Sequence, residues 1–331
     1  MTEARERRLL SVLVPVYNEA ENLPPFYERL CRALRTLEGW DWEIIFVDDG
    51  SQDESLPILR TLHERDPAVK ILRLSRNFGA WNTVIPGILS ASGDAVTWLS
   101  ADLQDPPEVI PQLARKWEEG AEVVWAVRQQ RNDPWLRRVL ATLFYRVLRR
   151  IAFPGYPLQG MDVCLLDSKV ARLFAGLKER TRFSQGLILN LGFAQATVPY
   201  VRERRRHGRS KWGRFSRLTT LAVDAIIGFS ALPLRLILSW GLLATTGAVV
   251  LGGVLLGRIA LHQAVAPWQP IALAVLFLSG INAFAVGVLG EYLWRVTQEV
   301  RERPLYVVRE RIGFASGEVA ERRDRQVYRS R

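Results

Sequence analysis

The sequence predicts an α/β protein: a doubly wound, mostly parallel sheet, extended by interfacial amphipathic helices and a two-helix transmembrane hairpin. Three observations predict it. A strand, polar turn, helix rhythm repeats through the first 130 residues. An apolar strand ends in the acidic, proline-stopped stretch Trp98-Leu-Ser-Ala-Asp-Leu-Gln-Asp-Pro-Pro-Glu108. Two long uncharged runs occupy the last third, which a mean hydropathy of +0.01 averages against a charged remainder.

The chain opens on Met-Thr-Glu-Ala-Arg-Glu-Arg-Arg followed by Leu9-Leu-Ser-Val-Leu-Val-Pro-Val16. This imitates a charged n-region and a short apolar core. Pro15 interrupts the run, however, and Tyr17-Asn-Glu-Ala-Glu-Asn follows in place of small residues, so a first β-strand fits better than a signal peptide. A helix starting at Asn18 or its neighbours carries Phe26, Leu30 and Leu34. The second strand, Trp42–Val47, ends in Asp48-Asp-Gly-Ser-Gln-Asp53, before a helix through Leu56, Leu59 and Leu62. A third, Val69–Leu74, ends in Ser75-Arg-Asn-Phe-Gly79. Val96, Trp98 and Leu99 form the next, and Pro106-Pro107 forbids its continuation because neither can donate to a ladder. Val123–Val127 adds another strand.

From Pro134 the pattern changes. Trp135, Val139, Leu140, Leu143, Phe144, Val147, Leu148 and Ile151 recur at helical spacing among arginines, giving a basic amphipathic helix over about 134–152. It fits a membrane surface, and equally a helix packed on the sheet with its arginines outward. A second amphipathic helix is expected over 211–232. The first 210 residues then form a cytoplasmic domain, and 233–292 hold two spanning helices at about 235–257 and 268–290, each near the roughly 20 apolar residues a bilayer requires. Arg235 before the hairpin and Arg295, Arg301 and Arg303 after it put both flanks, both termini and the N-terminal domain in the cytoplasm of a multi-pass protein expected in the inner membrane. Gly247, Gly252, Gly253 and Gly257 permit close helix contact between protomers of a homo-oligomer. The tail, 293–331, carries a short strand at Pro304–Val308 and a charged, disordered end.

The net charge of +11 could serve nucleic acid or an anionic surface. Its arginines cluster beside apolar runs, which favours a lipid headgroup surface or a lipid phosphate over a DNA footprint, so no nucleic-acid partner is expected. Cys31 and Cys164 are too far apart in sequence to suggest a motif and read as reduced, buried thiols. His63, His207 and His262 lack zinc-ligand spacing.

Chemistry is expected at the strand ends. Asp102, Gln104 and Asp105 offer hard oxygens for Mg²⁺ or Mn²⁺ carrying a phosphorylated substrate, at the sheet edge where α/β proteins bind ligands. The same residues would also serve as a solvated turn capping the helix that begins near Pro107. Asp48 to Asp53 equally reads as a β-turn followed by an N-cap, and Arg76-Asn77 as the start of a helix.

Together, Val14-Pro-Val-Tyr-Asn-Glu19, Val47-Asp-Asp-Gly-Ser51, Ser75-Arg-Asn-Phe-Gly79 and Ala101-Asp-Leu-Gln-Asp-Pro-Pro-Glu108 resemble the family 2 glycosyltransferases with a GT-A fold. Adding Gly160-Met-Asp-Val-Cys-Leu-Leu-Asp167, Gly208-Arg-Ser-Lys-Trp212 and Gly290-Glu-Tyr-Leu-Trp-Arg295, the chain resembles the polyprenyl-phosphate glycosyltransferases from Leu10 to Val308. These include dolichyl-phosphate mannose synthases, undecaprenyl-phosphate glucosyltransferases and aminoarabinose transferases. The resemblance implies one sugar moved from a nucleotide sugar, UDP-glucose first, to undecaprenyl phosphate with inversion, for a cell-envelope glycan. Aminoarabinose or mannose transfer is the alternative. It implies that Pro15, Tyr17, Glu19, Asp48, Asp49, Arg76, Asn77, Arg205, Ser210 and Lys211 bind the nucleotide sugar. Arg128 and Arg137 would hold the lipid phosphate, Asp162 would orient or deprotonate the acceptor, and Asp102 with Gln104 would bind the metal. The sequence departs from the family at Ser100, where the first acid of Asp-x-Asp stands, and there it resembles the aminoarabinose transferases; Ala141 replaces a serine after the second arginine. A catalytically inactive membrane scaffold is the rival class that Ser100 suggests. The Gln-x-x-Arg-Trp motif of processive synthases is missing.

Overall fold

In a computed structural model, the described residues are 7–129, 161–177, 184–203 and 304–314, with scattered helical positions between 261 and 300. Expectations for 134–152, 211–232, the span at 235–257, Arg137, Arg205, Ser210 and Lys211 lie outside them, as does the Asp162 side chain. Among the described residues no helix is long and apolar enough to cross a membrane.

The chain folds as β1 (Arg8–Val16), α1 (Leu23–Leu34), β2 (Trp40–Asp48), α2 (Ser55–Arg65), β3 (Val69–Leu74), α3 (Ala80–Ser90) and β4 (Ala95–Trp98). A 3₁₀ turn at Pro107–Val109 leads into α4 (Ile110–Glu118), followed by β5 (Val123–Arg128), β6 (Met161–Asp167), α5 (Ser168–Gly176), α6 (Ser184–Asn190), β7 (Gln195–Tyr200) and β8 (Val308–Ile312). The eight strands form one mixed sheet in the order β7-β5-β6-β4-β1-β2-β3-β8, in which β6 and β8 run against the others.

The strands are near-continuous apolar runs because both faces of the sheet are covered. Val12, Val14, Ile44 and Phe46 pack under α1, α2 and α4, meeting Phe26, Leu30, Leu59 and Leu113. Leu13, Ile45, Val47 and Leu72 face the opposite layer, meeting Val84, Ile88, Val170 and Phe174. Pro24 and Pro25 start α1, where their missing N–H groups lack helical partners anyway.

Three expectations are corrected. The first helix begins at Leu23, because Asn18 takes a left-handed φ of 51° and its neighbours form a turn. The last strand is Val308–Ile312, not Pro304–Val308, and Arg309–Ile312 are ordered because β8 pairs antiparallel with β3. Cys31 is half-buried on the amphipathic α1, whereas Cys164 is buried in β6; both are free thiols. β8 is further held by Arg60 on Glu310, and by Gly313, whose φ of 83° brings it against the His63 ring.

The opposite edge of the sheet from the strand C-termini is fastened by a buried carboxylate. Glu43 accepts from the Ser11 hydroxyl at 2.5 Å, the Ser92 N–H at 2.6 Å and Lys70 Nζ at 2.7 Å. A buried charge that loses its partner is expensive, so Lys70→Ala should destabilise the fold by about 3 kcal/mol. Urea titration of tryptophan fluorescence would read this as a lowered midpoint with unchanged slope. An unshifted midpoint would show that Glu43 is satisfied without the lysine.

Candidate active site

Adjacent strands β3, β2, β1 and β4 are parallel and deliver four loops to one edge. The strand order reverses between β1 and β4, and in open α/β sheets the crevice at such a reversal takes the ligand. The loop after β1 carries Pro15, Tyr17, Asn18 and Glu19; that after β2 carries Asp48 and Asp49; that after β3 carries Arg76 and Asn77; that after β4 carries Ser100 and Asp102. The sequence-predicted residues of these four strand ends are therefore brought together.

The first two loops are stitched by reciprocal hydrogen bonds. Asn18 N–H donates to Ser51 Oγ at 3.0 Å, and Gln52 N–H donates to Asn18 Oδ1 at 2.8 Å. Glu19 N–H reaches Ser55 Oγ at 3.0 Å, and Asp49 N–H reaches the Val16 carbonyl at 2.8 Å. Asp53 accepts from Ser55 N–H at 3.0 Å and Ala20 N–H at 3.2 Å.

The second and third loops meet at Gly50. Its φ of 73° favours glycine, and a Cβ there would lie 2.8 Å from the Arg76 carbonyl carbon, so no side chain fits. Asp49 accepts from the N–H groups of Phe78 and Gly79 at 2.7 and 2.9 Å. Burial raises its carboxyl pKa, and these two bonds oppose that only in part. The two neighbouring acids thus differ: Asp49 caps the β3–α3 loop, while Asp48 keeps one oxygen without a hydrogen bond. Asp48 uses Oδ1 to accept from Ser51 N–H at 2.9 Å. Its Oδ2 is buried without a hydrogen-bond partner, 3.8 Å from Arg73 Nε. Arg76 is exposed, its guanidinium 4.2 Å from the Phe78 ring centroid.

The acidic turn is strained and braced. Leu103 has a φ of 58°, a conformation costing about 1–3 kcal/mol for such a residue, and its side chain is buried. Asp102 is also buried, its Oδ1 accepting from Gln104 N–H at 3.1 Å. The segment after β7 grips this turn. Tyr200 donates its hydroxyl to Asp105 at 2.8 Å, Arg202 donates to Gln104 Oε1 at 3.0 Å, and Glu203 N–H donates to the Gln104 carbonyl at 2.8 Å. Asp105 is therefore a brace of the turn, and Gln104 already shares its amide oxygen with an arginine.

Arg128 ends β5 at this same edge, half-buried. Asp162 lies beside it on β6, where the register passes from Val127↔Met161 to Ala126↔Val163 and skips Asp162, a bulge of the kind common next to active sites. The described chain also leaves this edge at Gln129 and Glu203 and re-enters it at Met161 and, through Ser75 N–H on the Val307 carbonyl at 2.9 Å, at β8. Both long intervening segments, 130–160 and 204–303, are thus tethered at both ends to the edge that carries Asp102.

Sequence reasoning missed Arg29. From α1 it donates Nε to Glu108 at 2.7 Å and both terminal nitrogens to Glu203 at 3.0 and 2.5 Å. Its partners lie 79 and 174 residues away, so no local pattern announces it. The hydrogen bonds it donates, to Glu203 first and then to Glu108, raise its pKa and hold it charged. Among the described residues no cluster of three His, Cys, Asp or Glu could hold a metal.

This mixed sheet, with acidic loops gathered at its strand reversal, has the architecture of a GT-A α/β domain. Residues 11–173 match Glycosyl transferase family 2. A glycosyltransferase of Synechocystis, described as uncharacterized, is 39% identical over 301 residues, 90% of this chain and 94% of that protein. The SfII prophage-derived bactoprenol glucosyl transferase of Shigella flexneri is 36% identical over 302 residues, 91% of this chain and 97% of that one. Among solved structures, a mannosyltransferase of Pyrobaculum calidifontis in complex with GDP-Man and Mn²⁺ shares the fold at a TM-score of 0.50 and 18% identity, covering 85% of this chain and 87% of that chain. The chain belongs to the family 2 glycosyltransferases.

The stitching of the first two loops generates a pH prediction. Burial raises the Asp53 carboxyl, but hydrogen bonds from the Ser55 hydroxyl and from the Ser55 and Ala20 N–H groups outweigh it and leave the pKa below the ordinary value. A depressed folded pKa adds stability above the unfolded value of about 3.9, and that increment fades as pH falls through the folded one. Asp53→Asn should therefore lower the urea midpoint at pH 7 and converge with the parent in acid. A deficit that is constant with pH would assign the effect to shape instead of charge.

Proposed function

We propose that this glycosyltransferase moves one glucosyl group from UDP-glucose to undecaprenyl phosphate, at the cytoplasmic surface of a membrane that it enters through the hairpin at about 235–257 and 268–290. The observation that carries the reading is the shared edge: both long segments, which hold every expected lipid-facing helix, are tethered beside Asp102. The named activity of the Shigella relative supports glucose and the lipid acceptor. The described positions from Trp268 to Val300 are helical, and Trp268, Val286, Leu289 and Leu293 expose large apolar side chains, as a lipid-facing helix would.

The nucleoside half of the donor is assigned to the stitched loops. Asp48 Oδ2, buried and without a hydrogen-bond partner, would offer a charged acceptor to a base N–H or a ribose hydroxyl, and the pinned loop carrying Tyr17 and Glu19 lies beside it. Arg76 and Asn77 flank it, positioned by Asp49 and Gly50. Arg205, Ser210 and Lys211 would add positive charge against the diphosphate as the glycosyl bond breaks.

Asp102 and the Gln104 amide oxygen are hard donors, and a carbonyl oxygen has a second lone pair beyond the one Arg202 takes. They fit Mg²⁺ or Mn²⁺ completing its shell with phosphate oxygens and water, so Ser100 need not contribute an acid. Bound there, such an ion supplies Lewis-acid neutralisation of the leaving diphosphate. The acceptor's phosphate oxygen is already anionic, so it requires orientation more than a strong base. Arg128 and Arg137 suit that task through their forked donors, and Asp162, which the β5–β6 register skips, is assigned as the orienting acid.

The test is incubation of the purified full chain with undecaprenyl phosphate and a panel of nucleotide sugars, reading lipid mass. UDP-glucose should add one hexose, and no lipid-linked sugar from any donor would contradict the proposal. Asp102→Ala should reduce transfer by at least about 100-fold, since Lewis-acid stabilisation is worth several kcal/mol. Chelation should abolish activity and added Mn²⁺ or Mg²⁺ restore it; an active Asp102→Ala chain that ignores chelator would remove the metal from the account.

A further inference from the structure

We propose, resting on the glycosyl-transfer reading above, that Arg73 joins Asp48 in reading the base of the nucleotide donor and that the pair selects uracil. Val16, Asp48, Arg73 and Glu310 form one cross-strand row over β1, β2, β3 and β8: the register pairs Val16 with Asp48, Asp48 with Arg73, and Arg73 with Glu310. Residues directly opposite on adjacent strands share a face of the sheet, so the arginine has an acid on either side. Glu310 is already engaged, both of its oxygens accepting from Arg60, at 2.8 and 3.0 Å. Asp48 Oδ1 is likewise taken, by Ser51 N–H at 2.9 Å.

A donor and an acceptor are left over between the two strand ends. Asp48 Oδ2 and Arg73 Nε are both buried, neither makes a hydrogen bond, and they stand 3.8 Å apart, an ion pair too long to be a hydrogen bond. Leaving both unmade costs desolvation without return, and a purely structural pair would close the gap. The spacing suits a third group that donates to the carboxylate and accepts from the guanidinium. The Asp48 side chain is wholly buried, so such a group reaches Oδ2 only if a neighbour moves. Arg73 is the neighbour with that freedom, its side chain 27% exposed and its Nε held by no hydrogen bond.

The pairing edge of uracil presents a carbonyl, an N–H and a second carbonyl in a row. Its N3–H matches Asp48 Oδ2, and an adjacent carbonyl matches the Arg73 guanidinium. Cytosine reverses both positions, setting a ring nitrogen lone pair against the carboxylate and an amino group against the arginine, so it is repelled twice. Guanine presents two donors side by side, whereas Asp48 has one oxygen to give because Ser51 holds the other. The single N–H of uracil is the better match.

The test is calorimetric titration of the full chain in detergent with UDP, CDP, GDP and inorganic pyrophosphate, each with Mn²⁺. The parent should bind UDP at least about 100-fold more tightly than CDP and about tenfold more tightly than GDP. Arg73→Ala should weaken UDP about tenfold, the loss of one charge-assisted hydrogen bond, while CDP and pyrophosphate stay within about twofold of the parent. Arg73→Lys keeps the charge beside Asp48 but loses the planar fork, and should weaken UDP about threefold, which keeps the test available if the alanine variant folds poorly. A parent that does not prefer UDP to CDP would overturn the proposal. So would variants with unaltered UDP affinity, or a parallel weakening of UDP and pyrophosphate, the mark of an arginine that only supports the fold. None of these titrations needs turnover: if the parent chain transfers no sugar to lipid, the functional reading fails, and the ratio of UDP to CDP affinity still decides the role of Arg73.

Discussion

The molecule depends on one constraint: parallel strands that are buried on both faces must end together, and the loops at their ends must satisfy one another. A buried backbone group without a partner is costly, and here neighbouring loops supply the partners. Asn18 donates to Ser51 and accepts from Gln52 across two strand ends, Asp49 caps the loop after the third, and Gly50 admits the Arg76 backbone where a methyl group would clash. The loops at this edge are consequently held by one another, a preorganisation that lowers the ordering entropy a ligand must overcome.

Strain and bracing are concentrated on the acidic turn. Leu103 is held left-handed by burial of its side chain, and the flanking carboxylates have divided roles: Asp105 is engaged by Tyr200, while Asp102 stands at the crevice. The absence of an acid at Ser100 fits a site in which substrate phosphates complete the coordination. The turn is also the anchor of the chain's departure at Glu203, which ties the donor site to the segments proposed to meet the lipid.

Much of this was legible in the sequence. The strands ending at Asp48, Leu74 and Trp98 follow from apolar runs stopped by Asp-Gly, Ser-Arg-Asn and Pro-Pro, and the loop motifs at their ends converge at one edge once the sheet is parallel. The start of α1 was misjudged because Asn18 looks like an N-cap but serves as a left-handed turn residue bonded to the next loop. β8 was placed four residues early because Val307-Val308 is the most apolar pair of the tail, whereas the strand begins only at Val308 and its pairing with β3 is set by backbone register and by Arg60 on Glu310. Arg29, Arg202 and Glu203 carried no signal because an ion-pair network between α1 and β7 exists only after folding.

The central claim is that the edge carrying Asp102 faces lipid. Gln129 and Glu119 are exposed at opposite ends of the β5 region, one at that edge and one at the far side. Nitroxide labels at each position, in full-length protein reconstituted into vesicles with Cys31 replaced, can be compared for relaxation by a headgroup-bound nickel chelate. The account predicts strong relaxation at position 129 and little at 119; equal relaxation, or the reverse order, would contradict it.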